Sequence, residues 1–250
     1  MDHTTYEVES QVEQTHWWFV GRRKLFRSII AELKLPLDAR ILDIGTSTGT
    51  NLRLLKEMGF TNVEGLDFHD DAIRWCAEKN LGLVRKGDIC NIPFPDGSLD
   101  LVLATDIIEH VDDDELALRE IRRVLKTNGR ALVTVPAFES LWGLQDDVSH
   151  HKRRYRMQTL KCKLERSGCV PREIFYFNYF LFFPIWFARQ LIRILGIRLK
   201  SENQLNSTLI NDLLGVVFDI DVRWARNLKI PFGVSVCALL ETSDTHGDVG

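Results

Sequence analysis

Short apolar runs alternate with amphipathic stretches through the middle of the chain. The apolar runs predict five strands, at residues 40–44, 63–66, 83–86, 99–104 and 130–135. Three stretches with helical spacing lie between them, at residues 52–58, 71–79 and 112–125. Asp112 and Glu115 have the spacing of a capping box, and the helix they open is expected to close near Asn128 and Gly129. Such alternation predicts an α/β fold, a parallel sheet with helices on both faces.

The pattern changes at both ends of the chain. Residues 10–34 have apolar positions at helical spacing and predict one amphipathic helix, and residues 157–166 predict another. Two further strands are expected at residues 173–179 and 234–241. The roughly 55 residues between these strands are too many for a hairpin, so we expect a helical cap there.

We therefore predict one α/β core to which a lid, a cap and a tail are added. The predicted parts are a helical lid at 1–36, a core at 37–179 and 231–242, a cap at 180–230 and a flexible tail at 243–250.

Composition places this 250-residue chain among ordinary globular proteins, with 45% hydrophobic and 27% charged residues. The net charge of -3 is unevenly distributed. Residues 151–200 hold twelve Lys and Arg against two acids, so they carry +10 and the remaining residues carry -13. Nine of the 24 aromatic residues lie within 175–187. A basic, aromatic block in an acidic chain favours a small anionic or lipid-like partner over a nucleic acid, whose phosphates the acidic remainder would repel.

Cysteine usage and the first residues favour a cytoplasmic protein. The five cysteines form no CxxC pair and no metal-ligand spacing, so we expect reduced thiols and no metal site. The acidic, polar N-terminus does not have the pattern of a targeting peptide. No run reaches the roughly 18 apolar residues of a membrane span, and the closest, 175–199, is interrupted by arginines.

Four segments follow predicted strands and would meet at the carboxyl edge of the sheet, where open α/β sheets bind ligands. In ILDIGTSTGTN (41–51), Gly45 and Gly49 allow close approach of a ligand to the backbone. Asp67 ends the second strand and can accept both hydroxyls of a ribose. In the segment 87–102, Asp88 can accept from an adenine amine while Ile89 packs on the ring. The segment 104–113 is expected to form the floor of this ligand site.

Taken in order, these segments resemble the class I S-adenosylmethionine-dependent methyltransferases of the small-molecule type, grouped with ubiquinone-biosynthesis methyltransferases. The resemblance covers residues 40–136, and the family pattern DxGxGxG falls on Asp43, Gly45, Ser47 and Gly49, with Ser47 where the family has glycine. It implies a Rossmann-like seven-stranded sheet, mostly parallel with an antiparallel last strand. It also implies that S-adenosyl-L-methionine is the cofactor and S-adenosyl-L-homocysteine the product.

The resemblance also implies a set of cofactor-binding residues. Gly45, Thr46 and Gly49 would line the methionine part, Asp67 the ribose, Asp88 and Ile89 the adenine, and Thr105 would lie beneath the sulfonium. The full predicted set is Asp43, Gly45, Thr46, Ser47, Gly49, Asp67, Phe68, Asp88, Ile89, Thr105, Asp106 and His110. A nicotinamide dehydrogenase of the same architecture is the rival. Its GxGxxG fingerprint is absent here, although Asp67 would suit its ribose equally well.

Candidate catalytic residues follow the fifth strand, in the run Asp146, Asp147, His150, His151, Arg153, Arg154 and Tyr155. One interpretation makes His150 or His151 a general base oriented by an aspartate, and the two are not separable from sequence; Tyr155 is the third candidate. Arg153 and Arg154 would then clamp an anionic substrate. The alternative is a solvated basic loop leading into the helix at 157–166.

Aromatic residues provide the other candidate substrate contacts. Trp17 and Trp18 could form a lid over the sulfonium, or could only pack the first helix. The predicted substrate set is Trp17, Trp18, Arg22, Arg153, Arg154, Phe177 and Tyr179.

Three interpretations of the block 175–200 stay open, namely cap core, an apolar substrate pocket and a monotopic membrane-surface element. In the last, Ile185, Ala188, Leu191, Ile192, Leu195 and Leu199 share one helical face while Arg189, Arg193 and Lys200 lie off it.

Together these observations predict a methyltransferase acting at oxygen, nitrogen or carbon of a small-molecule or lipid-linked acceptor. An anionic acceptor and peripheral membrane contact through 175–200 are open alternatives within this prediction. The alternative from another class is a catalytically idle S-adenosylmethionine-binding protein that uses the basic-aromatic cap as a docking surface. A general base is needed only if the nucleophile enters protonated.

Overall fold

A computed structural model of the protein describes residues 10–195 and 208–242. Seven strands form one sheet, mostly parallel with an antiparallel last strand, in the order β3-β2-β1-β4-β5-β7-β6. The strands are β1 (Ile41–Ile44), β2 (Val63–Asp67), β3 (Val84–Lys86), β4 (Leu99–Thr105), β5 (Leu125–Pro136), β6 (Val170–Phe177) and β7 (Ser235–Glu241). The predicted fold class is confirmed.

Helices connect most of these strands. They are α1 (Trp17–Glu32), α2 (Thr50–Glu57), α3 (Asp70–Glu78), α4 (Asp114–Val124), α5 (Leu144–Val148), α6 (Met157–Arg166), α7 (Phe182–Leu195) and α8 (Thr208–Leu228), with a short 3-10 turn at Glu139–Leu141. The predicted tail at 243–250, together with Leu199 and Lys200, lies outside the described residues.

The strand order reverses between β1 and β4. Strand β1 pairs in parallel with β2 on one side and with β4 on the other, and Asp43 lies opposite Gly65 and Leu103. Chain connections lead from β1 toward β2 and β3 in one direction, and from β4 toward β5 in the other. Ligands of open α/β sheets bind at such a reversal, outside the carboxyl ends of the strands.

The described residues divide into two compact units. The sheet unit contains Pro36–Thr134, Gln158–Ile174 and 237–242, and the helix unit contains 10–35, Val135–Met157, 175–195 and 208–236.

Two predicted helix boundaries are wrong. The N-terminal helix is not continuous from residue 10, because residues 13–16 form a turn and α1 starts at Trp17. The backbone of His16 is extended, and its side chain accepts the backbone N–H of Trp18, which caps the new helix. The cap of α4 is Asp113 rather than Asp112, since the Asp113 carboxylate accepts the N–H of Leu116 at 2.8 Å.

Helix α4 also ends earlier than predicted. It stops at Val124, and β5 begins at once with Leu125 paired to Leu99 of β4. The hydroxyl of Thr242 donates to the carbonyl of Lys126 at 2.6 Å. Because these backbone groups find partners across strands, the residues up to Gly129 extend the sheet instead of the helix.

The predicted cap region contains two helices in the helix unit. Helix α8 packs on α1, where Phe218 lies against Gly21 so closely that a β-carbon there would come within 2.2 Å of the ring. Ion pairs join Lys24 to Asp219 and Glu32 to Arg226, so the two helices run parallel. The outer face of α8 exposes an apolar stripe at helical spacing, namely Leu209, Leu213, Val216, Ile220, Trp224 and Leu228.

All five cysteines are free thiols, and Cys76, Cys169 and Cys237 are buried, which agrees with the prediction of reduced thiols. Among the residues that the structure describes, no helix is long and apolar enough to cross a membrane.

Candidate active site

The loop between β1 and α2 turns sharply at two glycines of the sheet unit. Gly45 and Gly49 have φ of 74° and 87°, the left-handed region in which glycine is unstrained. A side chain at Gly49 would also come within 2.2 Å of Leu81. These two glycines fix the course of the loop.

Ser47 adopts a left-handed conformation as well, with φ of 46°. This is the position at which the family pattern has glycine, and a residue with a β-carbon is strained there. Hydrogen bonds hold the strained segment. The N–H of Ser47 donates to Asp67 Oδ2 at 3.1 Å, and Lys79 Nζ donates to the carbonyl of Thr48 at 3.0 Å. Sequence analysis missed Lys79, because no motif signals a lysine on the following helix.

The carboxylate of Asp67 is the main acceptor at the end of β2. It is 6% exposed. Its Oδ1 accepts the backbone N–H of His69 at 2.9 Å, and its Oδ2 accepts from Ser47 and, at 3.4 Å, from the Thr46 hydroxyl. A carboxylate has about four lone-pair sites. One site on Oδ1 therefore stays available, and the long bond from Thr46 is the easiest to exchange.

An asparagine that was not among the predicted residues joins the ends of β1 and β4. Asn51 Nδ2 donates to Asp43 Oδ1 and to Thr105 Oγ1, each at 2.9 Å. All three residues are buried, with Asp43 fully so. The sequence signal was weak, a polar residue just after the glycine loop at the second position of α2.

The remaining predicted cofactor residues differ in exposure. Asp88 is exposed and its Oδ1 accepts the N–H of Cys90 at 2.8 Å, while the neighbouring Ile89 is 4% exposed. Phe68 is 63% exposed. Asp106 has φ of 53° and accepts from the hydroxyl of Thr134 at 3.2 Å. The half-buried His110 donates its backbone N–H to the carbonyl of Ile107 at 3.1 Å.

In the helix unit, a buried aspartate organises the candidate catalytic run. Asp146 is fully buried and accepts four hydrogen bonds, from His151 Nδ1, from Arg154 Nε and Nη2, and from the N–H of Gly143, all at 2.7–2.9 Å. Burial alone would raise the pKa of Asp146. The bonds from His151 and Arg154 outweigh it and hold that pKa well below its ordinary value. The carboxylate therefore stays ionised.

This cluster separates the two histidines that the sequence could not. His151 is oriented by Asp146, whereas His150 is exposed with φ of 56°. Because an ionised carboxylate only accepts, His151 Nδ1 carries a hydrogen, and a neutral imidazole keeps its lone pair on Nε2. The arrangement is that of a base with an orienting acid.

Arg154 and Tyr155 are less exposed than the solvated-loop interpretation predicts. The Arg154 side chain is 4% exposed, and its Nη1 donates to the carbonyl of Ala137 at 2.9 Å. Tyr155 is 1% exposed and exchanges backbone hydrogen bonds with Pro136 and Phe138. Arg153 is partly exposed. The ion pair with Asp146 thus gives Arg154 a structural role in this conformation.

Trp17, Trp18 and Phe177 of the predicted set belong to one aromatic cluster in the helix unit. The rings of Trp18, Phe177 and Phe218 have nearly parallel planes, and their centroids lie 5.5–6.4 Å from one another. The guanidinium of Arg22 lies 5.4 Å from the centre of the Trp18 ring, a cation–π distance. Trp17 meets Phe218 edge-on at 5.5 Å.

Tyr179 continues this buried region. It is 2% exposed, and burial, with the nearby charge of Asp221 as the second cause, raises the pKa of its hydroxyl to about 12. The carboxylate of Asp221 accepts the backbone N–H groups of Asn178, Tyr179 and Phe180. It therefore ties α8 to the turn that follows β6.

Helix α7 contradicts the cap-core interpretation of its own residues, because none of its side chains is buried. Phe183, Phe187 and Ile194 are 59%, 64% and 79% exposed. On the opposite side, Arg189 donates to the carbonyl of Leu141 and Arg193 to that of Trp142. The cap-core interpretation does hold for Phe175 and Phe177 of β6, which are fully buried.

The comparison with known families decides which fold family this site belongs to. Residues 42–133 match a family model described as a methyltransferase domain. Residues 42–133 form a methyltransferase domain.

The region that matches curated relatives covers only part of this chain and part of each relative. The demethylmenaquinone methyltransferase of Thermotoga maritima is 36% identical over 117 residues, which are 45% of this chain and 51% of that protein. The chain spans about half the length of the curated relatives it matches.

Solved structures share the fold of the methyltransferase domain. A chain from the complex of the Haloferax volcanii Trm112 methyltransferase activator with a candidate methyltransferase has a TM-score of 0.63 at 17% identity, covering 98% of this chain and 97% of that one. An S-adenosylmethionine-dependent methyltransferase from Archaeoglobus fulgidus has a TM-score of 0.56 at 20% identity, covering 92% and 97%.

The hydrogen-bond donors and acceptors at the carboxyl ends of the strands fit S-adenosylmethionine, the cofactor of the methyltransferase domain. Asp67 keeps an acceptor site for a ribose hydroxyl, and the exposed Asp88 carboxylate stands beside the apolar Ile89. The glycine loop offers backbone N–H groups at the start of α2, where the helix dipole favours a carboxylate. Each half of the cofactor thus has matching chemistry in this chain.

Proposed function

We propose that the protein binds S-adenosylmethionine through its sheet unit and transfers the methyl group to oxygen, nitrogen or carbon of a small-molecule acceptor. The observation that carries this proposal is the buried Asp67, which the glycine loop holds at the end of β2 with an acceptor site to spare.

Each predicted cofactor residue keeps its role in this proposal. Asp67 holds the ribose, Asp88 and Ile89 the adenine, and the loop from Gly45 to Gly49 the methionine part, with Thr105 beneath the sulfonium. Phe68, Asp106 and His110 complete the surroundings. When bound, the cofactor supplies a methyl group that is already activated. The chain then needs to orient the acceptor and exclude water, for which effective molarities of ~10⁵–10⁸ M are attainable.

His151 is the proposed general base for an acceptor that enters protonated. Asp146 fixes the tautomer with the hydrogen on Nδ1, and such a base speeds proton removal by roughly 10²–10⁴-fold. His150 and Tyr155 are the other two candidates, but His150 is exposed to solvent and Tyr155 is 1% exposed, whereas His151 is half-buried and bonded to the ionised Asp146. An amine acceptor that enters neutral would need no base.

The acceptor is proposed to be apolar or lipid-linked. The support is the aromatic cluster around Trp18 with Tyr179 nearby, together with a relative named for demethylmenaquinone. Arg22 and Arg153 are the proposed contacts for an anionic group of the acceptor, because Arg154 is held in an ion pair with Asp146.

Peripheral membrane contact through α7 is part of this proposal. The helix exposes Phe183, Phe187 and Ile194 and has no acidic residue, and Arg193, although it donates to the carbonyl of Trp142, is exposed and adds positive charge that attracts anionic lipid. Arg189 is not a lipid contact here, because its side chain is 11% exposed and lies 3.8 Å from Asp146.

The test uses methyl-labelled S-adenosylmethionine with the protein and an extract of its source cells, partitioned between water and organic solvent. Label in the organic phase supports a lipid-like acceptor, and label in the aqueous phase contradicts it in favour of a soluble one. An Asp67→Ala variant should abolish either signal. If S-adenosylhomocysteine raises the melting temperature but no label is transferred in any extract, the idle alternative is correct.

A further inference from the structure

Asn51 occupies the point at which the strand order of the sheet reverses. It is the second residue of α2, directly above the neighbouring ends of β1 and β4. Its amide reaches one residue on each strand, Asp43 on β1 and Thr105 on β4.

The two bonds use the donor capacity of the amide fully. A side-chain NH₂ group has two hydrogens, and here one points to Asp43 Oδ1 and the other to Thr105 Oγ1, both at 2.9 Å. Thr105 Oγ1 acts as an acceptor, so its own hydrogen must point away from Asn51. A single residue therefore bonds to both the Asp43 carboxylate and the Thr105 hydroxyl and constrains the orientation of each.

Burial makes this bridge specific for asparagine. Asp43, Asn51 and Thr105 are 0%, 9% and 8% exposed, so water cannot easily replace a lost donor. Aspartate at position 51 would set two carboxyl groups against each other, and leucine would leave both acceptors without the amide. Serine is too short to reach both strands.

We propose that Asn51 is a positioning residue that sets the affinity of the site for the amino-acid half of the cofactor. The inference rests on the proposed function, which assigns Thr105 and the Asp43 loop to the methionine end and Asp67 and Asp88 to the nucleoside end. Asn51 contacts residues of the first set, and its two hydrogen bonds reach none of the second.

This separation gives a test that does not depend on turnover. S-Adenosylhomocysteine contains both halves, whereas 5′-methylthioadenosine lacks the amino-acid group. Titration calorimetry with both ligands on wild type and Asn51→Asp should show the dissociation constant rise about tenfold or more for S-adenosylhomocysteine and stay nearly unchanged for 5′-methylthioadenosine. The control is Asn62→Asp, the same chemical change at an exposed residue.

A double variant keeps the test valid if Asn51→Asp does not fold. In Asp43→Asn with Asn51→Asp, the amide and carboxylate exchange places, and the new carboxylate can accept from the Thr105 hydroxyl. We expect the melting temperature of this double variant to be close to that of wild type. S-Adenosylhomocysteine should still bind more weakly than to wild type, and the affinity for 5′-methylthioadenosine should be unchanged.

Two results overturn the inference. Equal weakening of both ligands would show that Asn51 acts on the fold as a whole, and unchanged binding of both would show that its bridge is dispensable. If wild type binds neither ligand, the proposed function fails as well, which separates that outcome from a failure confined to Asn51.

Discussion

Ser47 and Asp67 are joined by a hydrogen bond of 3.1 Å from the backbone N–H of the serine to Oδ2 of the aspartate. Ser47 is also the residue that replaces the family's middle glycine, and it takes the left-handed conformation that glycine would adopt without strain. Serine at this position therefore takes a backbone conformation that is also open to glycine. Its N–H still holds the carboxylate that we propose accepts the ribose hydroxyls.

Ser47→Gly should leave stability and cofactor affinity nearly unchanged. Relief of a left-handed conformation gains about 1–2 kcal/mol, and the greater freedom of glycine in the unfolded chain costs roughly 0.5–1 kcal/mol. Ser47→Val should be strained by the β-branch and weaken binding of S-adenosylhomocysteine. Thermal melts and calorimetry on both variants test this, and a tolerated valine would contradict the assigned conformation.

Asp67→Ala should weaken binding of S-adenosylhomocysteine by roughly 1.5–3 kcal/mol, the value of a charge-assisted hydrogen bond. The variant also frees the N–H groups of Ser47 and His69, so its melting temperature must be measured alongside. Asp70→Ala, three residues away with a side chain that is 79% exposed, is the control and should bind normally. Equal affinity in Asp67→Ala would remove the ribose assignment.

The sequence could predict the sheet and the cofactor end because both depend on local patterns. Buried parallel strands such as β4 read as continuous apolar runs, and Gly45, Gly49 and Asp67 occupy fixed offsets from strand ends. Boundaries failed where distant residues compete for the backbone. Leu125 to Gly129 look helical in isolation, yet pairing with β4 and with Thr242 makes them strand.

His151→Gln should reduce turnover while leaving affinity for S-adenosylhomocysteine intact, because the base acts on the acceptor. His150→Gln should change neither turnover nor affinity, since His150 is exposed to solvent while the bond from His151 to Asp146 stays intact. Initial rates at saturating cofactor, with binding measured separately, compare the two. Equal losses in both variants would contradict the assignment of the base to His151.

Asp146→Asn should destabilise the protein by about 3–5 kcal/mol, because it leaves the buried guanidinium of Arg154 without its anion. The sign of the pH effect follows from the lowered pKa of Asp146. An acid whose folded pKa is depressed stabilises the fold above its ordinary pKa of about 4, and this contribution is lost as the pH falls below that value.

Urea unfolding at several pH values measures this contribution. The difference in free energy of unfolding between wild type and Asp146→Asn should be constant above about pH 5 and shrink as the pH approaches 2. A difference that does not change with pH would mean that the carboxylate is not held ionised.

Binding to lipid vesicles tests whether α7 contacts a membrane and which of its residues do so. Phe187→Ser with Ile194→Ser should reduce sedimentation with vesicles of anionic lipid, because it removes exposed apolar area from one face. Arg193→Glu should reduce it further at low salt, while Arg223→Glu on α8 is the matched control. Unchanged sedimentation in all variants would exclude α7 as a membrane contact.

The sequence did not reveal the positioning roles of residues that act through other side chains. Asp146 was counted as one acid in a charged run, and only the fold shows that it selects His151 over His150 and takes Arg154 out of substrate binding. Asn51 and Lys79 have the same character. Their partners are strand ends and loop carbonyls, which lie close in space and carry no signature along the chain.

The central claim is that the carboxyl edge of the sheet around Asp67 is an S-adenosylmethionine site. Titration calorimetry of the wild-type protein with S-adenosylhomocysteine and, separately, with NAD⁺ tests it most directly, since Asp67 alone would suit either ribose. The account predicts saturable binding of S-adenosylhomocysteine with one site per chain and none of NAD⁺. Binding of NAD⁺ without binding of S-adenosylhomocysteine would contradict it.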